Sequence, residues 1–148
     1  MPHFTLQISP QGALLAAGIG ISEARRTALK DAGQTIPKIV PIQAIIDTGA
    51  SATCVDPSVV QTLNLTPTGN APVVTPSTGN QPVNADQYDV SLIVPAGQNQ
   101  VPFYIANLPV LCMELLTSQG FHALIGRDVL IQCIFSYNGT AGWFTLAY

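Results

Sequence analysis

Charge is scarce in this chain of 148 residues, which has five Lys and Arg against eight Asp and Glu and a net charge of −3. A nucleic-acid surface needs a positive excess to neutralise phosphates, so this balance excludes a general nucleic-acid-binding protein. Four of the five basic residues lie in one polar segment, as Arg25, Arg26, Lys30 and Lys38. That pattern is typical of a solvated turn or short helix and not of a binding patch.

Long hydrophobic runs are also missing. The longest apolar run, GALLAAGIGI at 12–21, is too short to span a bilayer as a helix. Only His3 precedes it as a basic residue, which makes it a poor signal peptide. We therefore predict a soluble protein with no membrane partner.

Cysteine is sparse and carries no metal-binding pattern. Cys54, Cys112 and Cys133 stand in apolar surroundings, with no CxxC pair and no Cys/His spacing. We interpret them as buried free thiols, which are typical of a reducing compartment. The sequence thus predicts a cytoplasmic protein that holds no metal and no other cofactor.

The sequence pattern predicts mostly short β-strands separated by turns. The hydrophobic fraction is 47%, and 12 Gly and 12 Pro interrupt the β-branched runs. We predict one all-β domain over residues 1–148 with one or two short helices. The predicted strands lie at 3–8, 13–21, 41–46, 87–94 and 101–108, and a hairpin over 135–148 turns at Asn138-Gly139.

Helix signals occur in three places. In the polar segment 22–38, Ser22 is a candidate N-cap and Gly33 a candidate end. In 56–65, Asp56 has the N-cap position and Pro57 the first helical position. Residues 123–135 read as a strand, a glycine break and a short helix.

Asp47 stands in the stretch AIIDTGASATCVD, directly after an apolar run and directly before Thr48 and Gly49. Burying a carboxylate is costly unless it is hydrogen-bonded, paired or used in chemistry. Gly49 lets the backbone turn sharply and approach a ligand. Two carboxylates that share one proton can activate water, because one acts as base while the other donates a proton.

At these residues the sequence resembles the retropepsins, the small retroviral-type members of the pepsin-like aspartic proteases. The run Ile45-Ile46-Asp47-Thr48-Gly49-Ala50 matches the family's first motif, and LIGRDVL at 124–130 matches its second motif near the C-terminus. The resemblance covers roughly 3–8 and 41–148, and 22–38 looks like an insertion. It implies a small, closed acid-protease-type β-barrel.

Only one copy of the Asp-Thr-Gly motif is present. Two-lobed members of the family carry two copies, and the decoy Asp31-Ala32-Gly33 lacks both the hydroxyl and the apolar run. The resemblance therefore implies a homodimer in which each chain supplies one Asp47. The activity it implies is that of an aspartic endopeptidase on a peptide or protein substrate. We expect the terminal segments 3–8 and 142–148 of both subunits to interleave in one sheet.

The resemblance also implies roles for the residues around Asp47. Thr48 is expected to hydrogen-bond to its mate across the two-fold axis, and the Gly49 carbonyl to accept a hydrogen bond from bound peptide. Ala50 and Ser51 complete the active-site loop. A mobile flap over the cleft is expected near Thr78, Gly79 and Asn80.

The second motif, Gly126-Arg127-Asp128, is expected to be structural. Retroviral enzymes usually carry an aspartate two residues after the motif glycine as the partner of this arginine, and Ser51 stands there in this chain. Arg127 then needs another acceptor, either Asp128 or a residue of the other chain.

Three other interpretations stay open. Asp47 could be an ordinary turn aspartate or helix cap. The chain could be a non-catalytic β-barrel binding or scaffold module that keeps the fold without turnover. It could also be a peptidase domain excised from a longer polyprotein, although Met1 and the C-terminal strand pattern favour an independent gene product.

Overall fold

The computed structural model describes residues 1–75, 78–97, 99–115 and 117–148. These ranges form ten β-strands, three short α-helices and one 3-10 turn. In chain order they are β1 His3–Gln7, β2 Leu14–Ile21, α1 Glu23–Asp31, β3 Val40–Ile46, β4 Cys54–Val55, α2 Pro57–Thr62, β5 Gly69–Val73, β6 Val83–Val94, β7 Phe103–Cys112, the 3-10 turn Thr117–Gln119, β8 Ala123–Ile125, α3 Arg127–Leu130, β9 Ile134–Asn138 and β10 Trp143–Ala147. The predicted β class is confirmed, with three α-helices where one or two were expected.

Six strands close into a barrel in the order β2-β3-β8-β4-β7-β6, and β6 returns to β2. The barrel is mixed, because β3 runs parallel to β8 and β4 runs parallel to β7 while the other neighbours are antiparallel. β5 lies outside the ring and pairs with β6. The predicted closed barrel is therefore confirmed.

The barrel interior is filled by aliphatic side chains from β2, β6 and their neighbours. Leu15, Ile19 and Ile21 of β2 and Val90 and Leu92 of β6 are each at most 1% exposed. Burial of such a side chain stabilises the folded state by about 1.5–3 kcal/mol. This core holds the ends of β3 and β8 rigidly, and the candidate site lies at those ends.

Both predicted caps are confirmed. The Ser22 side chain accepts a hydrogen bond from Arg25 N at the start of α1, and the helix ends just before Gly33, whose φ is +66°. The Asp56 side chain accepts from Ser58 N at the start of α2, with Pro57 at the first position. These local signals act within one turn of helix, so the sequence alone specifies them.

The chain termini form a separate three-stranded sheet in the order β1-β10-β9. β1 pairs with β10 of the same chain, from His3 opposite Ala147 to Gln7 opposite Trp143. The two termini thus already pair with each other in the single chain, and the expected interleaving with a second subunit stays a prediction. The predicted β9–β10 hairpin is confirmed, but its turn spans residues 139–142 and Asn138 still belongs to β9, so the turn is not centred on Asn138-Gly139 as expected.

The three cysteines are free thiols; Cys54 is buried, whereas Cys112 and Cys133 are partly buried. In the described ranges, no helix has the length and hydropathy needed to cross a membrane.

Candidate active site

Asp47 leaves the barrel wall at the end of β3. Its main-chain N–H donates to the carbonyl of Ile125, the last residue of β8, at 3.0 Å. Its carboxylate Oδ1 accepts a hydrogen bond from Gly49 N–H at 2.8 Å, and its main-chain carbonyl accepts from Ala50 N–H at 3.2 Å. The side chain is partly buried. A tight turn therefore fixes a carboxylate that still reaches solvent.

Gly49 allows this turn to close on the carboxylate. A Cβ at this position would lie 3.1 Å from Asp47 Oδ1. Any side chain there would crowd the oxygen that Gly49 N–H now holds. This close approach explains why the first motif has glycine at position 49.

Arg127 contacts main-chain carbonyls of the Asp47 loop, which is residues 47–53 between β3 and β4. Its Nη1 donates to Thr48 O at 2.9 Å and to Gly49 O at 3.2 Å, and its main-chain N–H donates to Ala50 O at 2.9 Å. The expectation of an Asp128 partner is wrong for the described residues. Arg127 is exposed in the single chain.

The Asp128 carboxylate accepts hydrogen bonds from Thr53 and not from Arg127. Its Oδ2 accepts from Thr53 N–H at 2.9 Å, and its Oδ1 accepts from the Thr53 hydroxyl at 2.8 Å. The same hydroxyl accepts from Gly126 N–H at 3.1 Å. Thr53 is 1% exposed, and sequence reasoning missed it. A hydroxyl within the apolar run after Ser51 was the available signal.

Gly126 allows α3 to approach the loop closely. A Cβ there would lie 2.6 Å from the Ala52 carbonyl carbon and 2.7 Å from its oxygen. These atoms belong to the backbone and cannot rotate away. The second motif therefore packs its glycine directly on the segment that follows the first motif.

A cavity of about 420 Å³ opens beside Asp47. Its walls are mostly apolar, and its lining residues come from the Asp47 loop, from β4 and β8, and from β5 and β7 with the residues that follow them. They are Asp47, Gly49, Ala50, Ser51, Ala52, Cys54, Pro72, Val73, Val74, Thr75, Leu111, Met113 and Leu124. A few polar groups in an apolar cleft are typical of a ligand site.

The predicted flap residues lie on a hairpin next to this cavity. β5 and β6 pair from Gly69 opposite Gln87 to Val73 opposite Val83. In the connecting segment, Thr78, Gly79 and Asn80 form a turn, and Gly79 has φ +59°. Residues 76 and 77 of the predicted flap region lie outside the described residues. The three turn residues do not line the described cavity, whereas 72–75 do.

Cys54 is a cavity residue that sequence reasoning did not place in the site. Burial raises the pKa of its thiol to about 11, and the negative charges of Asp128 and Asp47 add to the effect. Its Sγ donates to Met113 Sδ at 3.8 Å. The thiol stays protonated near neutral pH, so it is a poor nucleophile.

Comparisons with known proteins agree with this geometry. A family model described as aspartyl protease matches residues 32–129, a span that contains both Asp47 and the Gly126-Arg127-Asp128 motif. The chain belongs to the aspartyl protease family. It is also similar to the crystal structure of a retropepsin-like aspartic protease from Rickettsia conorii. That match has 15% sequence identity and a TM-score of 0.60 and covers 99% of this chain and 90% of the other.

At this identity the structural match shows the fold alone, and the fold is retropepsin-like. The resemblance predicted from the two motifs is confirmed. A search of curated proteins found no match.

Proposed function

We propose that this aspartyl protease family member is an endopeptidase that hydrolyses peptide bonds with water activated between two Asp47 carboxylates, one from each subunit of a homodimer. The observation that carries the proposal is the Asp47 carboxylate, which a tight turn holds at the edge of an apolar cavity.

The stoichiometry of carboxylates supports the dimer. Asp128 is the other carboxylate next to the Asp47 loop, but both of its oxygens already accept hydrogen bonds from Thr53. It is absent from the residues that line the cavity. Asp47 is the one carboxylate among the described residues that line the cavity, so in this proposal the second carboxylate comes from a second chain.

The chemistry follows from one proton shared by two like charges. Such a pair keeps one carboxylate ionised and one protonated, since both cannot ionise side by side. The ionised group takes a proton from water as the water attacks the peptide carbonyl, and the protonated group donates to the carbonyl oxygen. The tetrahedral gem-diol then collapses as the C–N bond breaks. The carboxyl that took its proton from water donates that proton to the leaving amine, and the other carboxylate takes a proton back from a diol hydroxyl as the product carboxylic acid forms.

The substrate in this proposal is an extended peptide that lies between the Asp47 loop and the β5–β6 hairpin. Leu111, Met113 and Leu124 in the cavity wall favour an apolar substrate side chain next to the scissile bond. Thr78, Gly79 and Asn80 would close over the peptide from the hairpin turn. Thr48 would bond to its mate across the two-fold axis.

We also propose that residues 1–148 are one domain with 22–38 as an insertion. The pairing of β1 with β10 supports this, because it joins the two ends of the chain in one sheet. Helix α1 lies on the outside, where the Tyr104 hydroxyl donates to Glu23 Oε2 at 3.2 Å.

Asp47→Asn is the direct test. The variant keeps the shape of the side chain and can still accept from Gly49 N–H, but it cannot act as a base. We expect peptide-bond cleavage to fall by about a thousandfold or more, with an unchanged circular dichroism spectrum. Asp31→Asn is the matched control, because Asp31 is an exposed aspartate in the decoy Asp-Ala-Gly.

A peptide library assayed with and without a statine-type inhibitor provides the readout. Equal cleavage by wild type and Asp47→Asn, or inhibition of the wild type by a chelator alone, contradicts the mechanism. A wild-type protein that binds peptides and cleaves none favours the scaffold interpretation.

A further inference from the structure

Arg127 contacts three consecutive carbonyls of the Asp47 loop. Its side-chain Nη1 donates to Thr48 O and Gly49 O, and its main-chain N–H donates to Ala50 O. The guanidinium has no carboxylate partner in the described part of the chain, where the one ion pair joins Arg26 to Glu23. Its hydrogen bonds therefore go to the loop backbone.

The peptide groups that Arg127 contacts are the same ones that hold Asp47. Thr48 O and Gly49 N belong to one peptide group, and Gly49 N–H donates to Asp47 Oδ1 at 2.8 Å. Gly49 O and Ala50 N belong to the next group, and Ala50 N–H donates to Asp47 O at 3.2 Å. Each group thus accepts from Arg127 at one end and donates to Asp47 at the other.

We propose that Arg127 is a positioning residue for Asp47, in place of an ion pair with an aspartate at the position that Ser51 occupies. It orients the Asp47 carboxylate through the Thr48–Gly49 peptide group and the Asp47 main chain through the Gly49–Ala50 peptide group. Its role in catalysis rests on the proposed function. Its role in holding Asp47 does not.

Two physical effects act through these peptide groups. A cation that donates to a carbonyl polarises the whole peptide group, which makes its N–H a stronger donor. A planar guanidinium can also bond two neighbouring carbonyls in a fixed geometry, whereas a lysine ammonium is a mobile point charge. The other ionisable groups beside the loop are Asp128, held by Thr53, and the Cys54 thiol, and neither donates to these carbonyls.

The test uses Arg127→Met, which keeps the aliphatic stem and removes charge and donors, and Arg127→Lys, which keeps the charge. Arg25→Met is the matched control, because Arg25 Nη2 also donates to a main-chain carbonyl, that of Asn64, at 3.4 Å. The first readout is the Gly49 amide signal in a ¹H–¹⁵N spectrum of the full chain. The second is kcat and KM for peptide cleavage.

We expect the Gly49 amide proton to move upfield in Arg127→Met, as it does when a hydrogen bond weakens, and to move less in Arg127→Lys. We expect kcat to fall about tenfold to a hundredfold in Arg127→Met, as loss of alignment does, with KM little changed and partial rescue in Arg127→Lys. Arg25→Met should change neither readout.

A Gly49 amide signal that is identical in wild type and Arg127→Met overturns the positioning role. If Arg127→Met does not fold, and its spectrum therefore lacks chemical-shift dispersion, Arg127→Lys replaces it. A Gly49 amide signal identical in wild type and Arg127→Lys then overturns the positioning role. If the wild-type chain cleaves no peptide, the proposed function fails, and the Gly49 amide still decides whether Arg127 holds Asp47.

Discussion

At the scale of single residues, the buried hydroxyl of Thr53 ties the segment that follows the first motif to the second motif. That hydroxyl donates to Asp128 Oδ1 and accepts from Gly126 N–H. Because Thr53 is 1% exposed, water cannot replace either bond if the hydroxyl is lost.

Thr53→Val keeps the volume of the side chain and removes both bonds. We expect the free energy of unfolding to fall by about 1–3 kcal/mol, the cost of leaving buried polar groups without partners. Urea denaturation measures it. Thr5→Val is the control, since its hydroxyl pairs with Thr145 at an exposed position. Equal small losses of unfolding free energy in the two variants would show that the hydrogen bonds of Thr53 to Asp128 and Gly126 do not stabilise the fold.

The lowered pKa of Asp56 should make the stability of the fold depend on pH. Burial favours its neutral form, but hydrogen bonds from Ser58 and Leu115 and the nearby His122 outweigh this effect, and the pKa of Asp56 is lowered. A lowered pKa in the folded state stabilises the fold above the unfolded-state pKa of about 3.9. That stabilisation is lost as the pH falls through the folded-state pKa.

Asp56→Asn removes the titration at this site. The difference in unfolding free energy between wild type and Asp56→Asn should be constant from pH 7 to about pH 5 and shrink below about pH 4. Denaturant titrations at several pH values measure it, with Asp31→Asn as an exposed control. A difference that stays constant to pH 2.5 contradicts the assignment.

At the scale of helices and strands, the sequence predicts those elements whose signals are local. The caps at Ser22 and at Asp56 lie where expected, as do the strands with alternating or continuous apolar residues. The two-residue strand β4 and the strand β5, GNAPV, were not predicted. β4 forms because β7 and β8 flank it, and β5 forms because β6 offers an edge, so both depend on distant partners.

The packing of α3 on the Asp47 loop leads to the next prediction. Gly126→Ala places a Cβ 2.6 Å from the Ala52 backbone, so α3 must move away from the loop. We expect a loss of about 1–3 kcal/mol in unfolding free energy, which is typical of overpacking. Gly139→Ala is the control, because its Cβ would meet Tyr137 Cε1 at an ordinary 3.7 Å. Equal melting temperatures for the two variants would contradict the close approach.

At the scale of the whole molecule, the candidate site could be predicted only in part. Asp47 and Gly49 are marked by a short local pattern. The acceptors of Arg127 and the role of Thr53 depend on how β3, β4 and β8 meet in the barrel, and that pairing joins residues far apart in sequence. The cavity walls from β5 and β7 depend on the same closure.

The terminal sheet is the surface that we expect to join two subunits. Its edge strand β9 has no partner on its outer side among the described residues, and Ile131 and Ile134 nearby are 85% and 59% exposed. An open apolar edge is prone to pair with another chain. A two-fold axis there would give an isologous interface. Deleting 143–148 would not test the dimer cleanly, because it removes the central strand β10 and should unfold the sheet.

Dilution and subunit mixing test the dimer while keeping the chain intact. If each subunit supplies one Asp47, specific activity must fall as the protein is diluted below the dimer dissociation constant. Excess Asp47→Asn chain should also suppress wild-type activity after subunit exchange, since mixed dimers hold only one working carboxylate. Asp31→Asn chain in the same excess should not. Sedimentation equilibrium over the same concentrations measures the dimer directly. A monomer with full activity would overturn the shared mechanism, because one carboxylate cannot be base and acid at once.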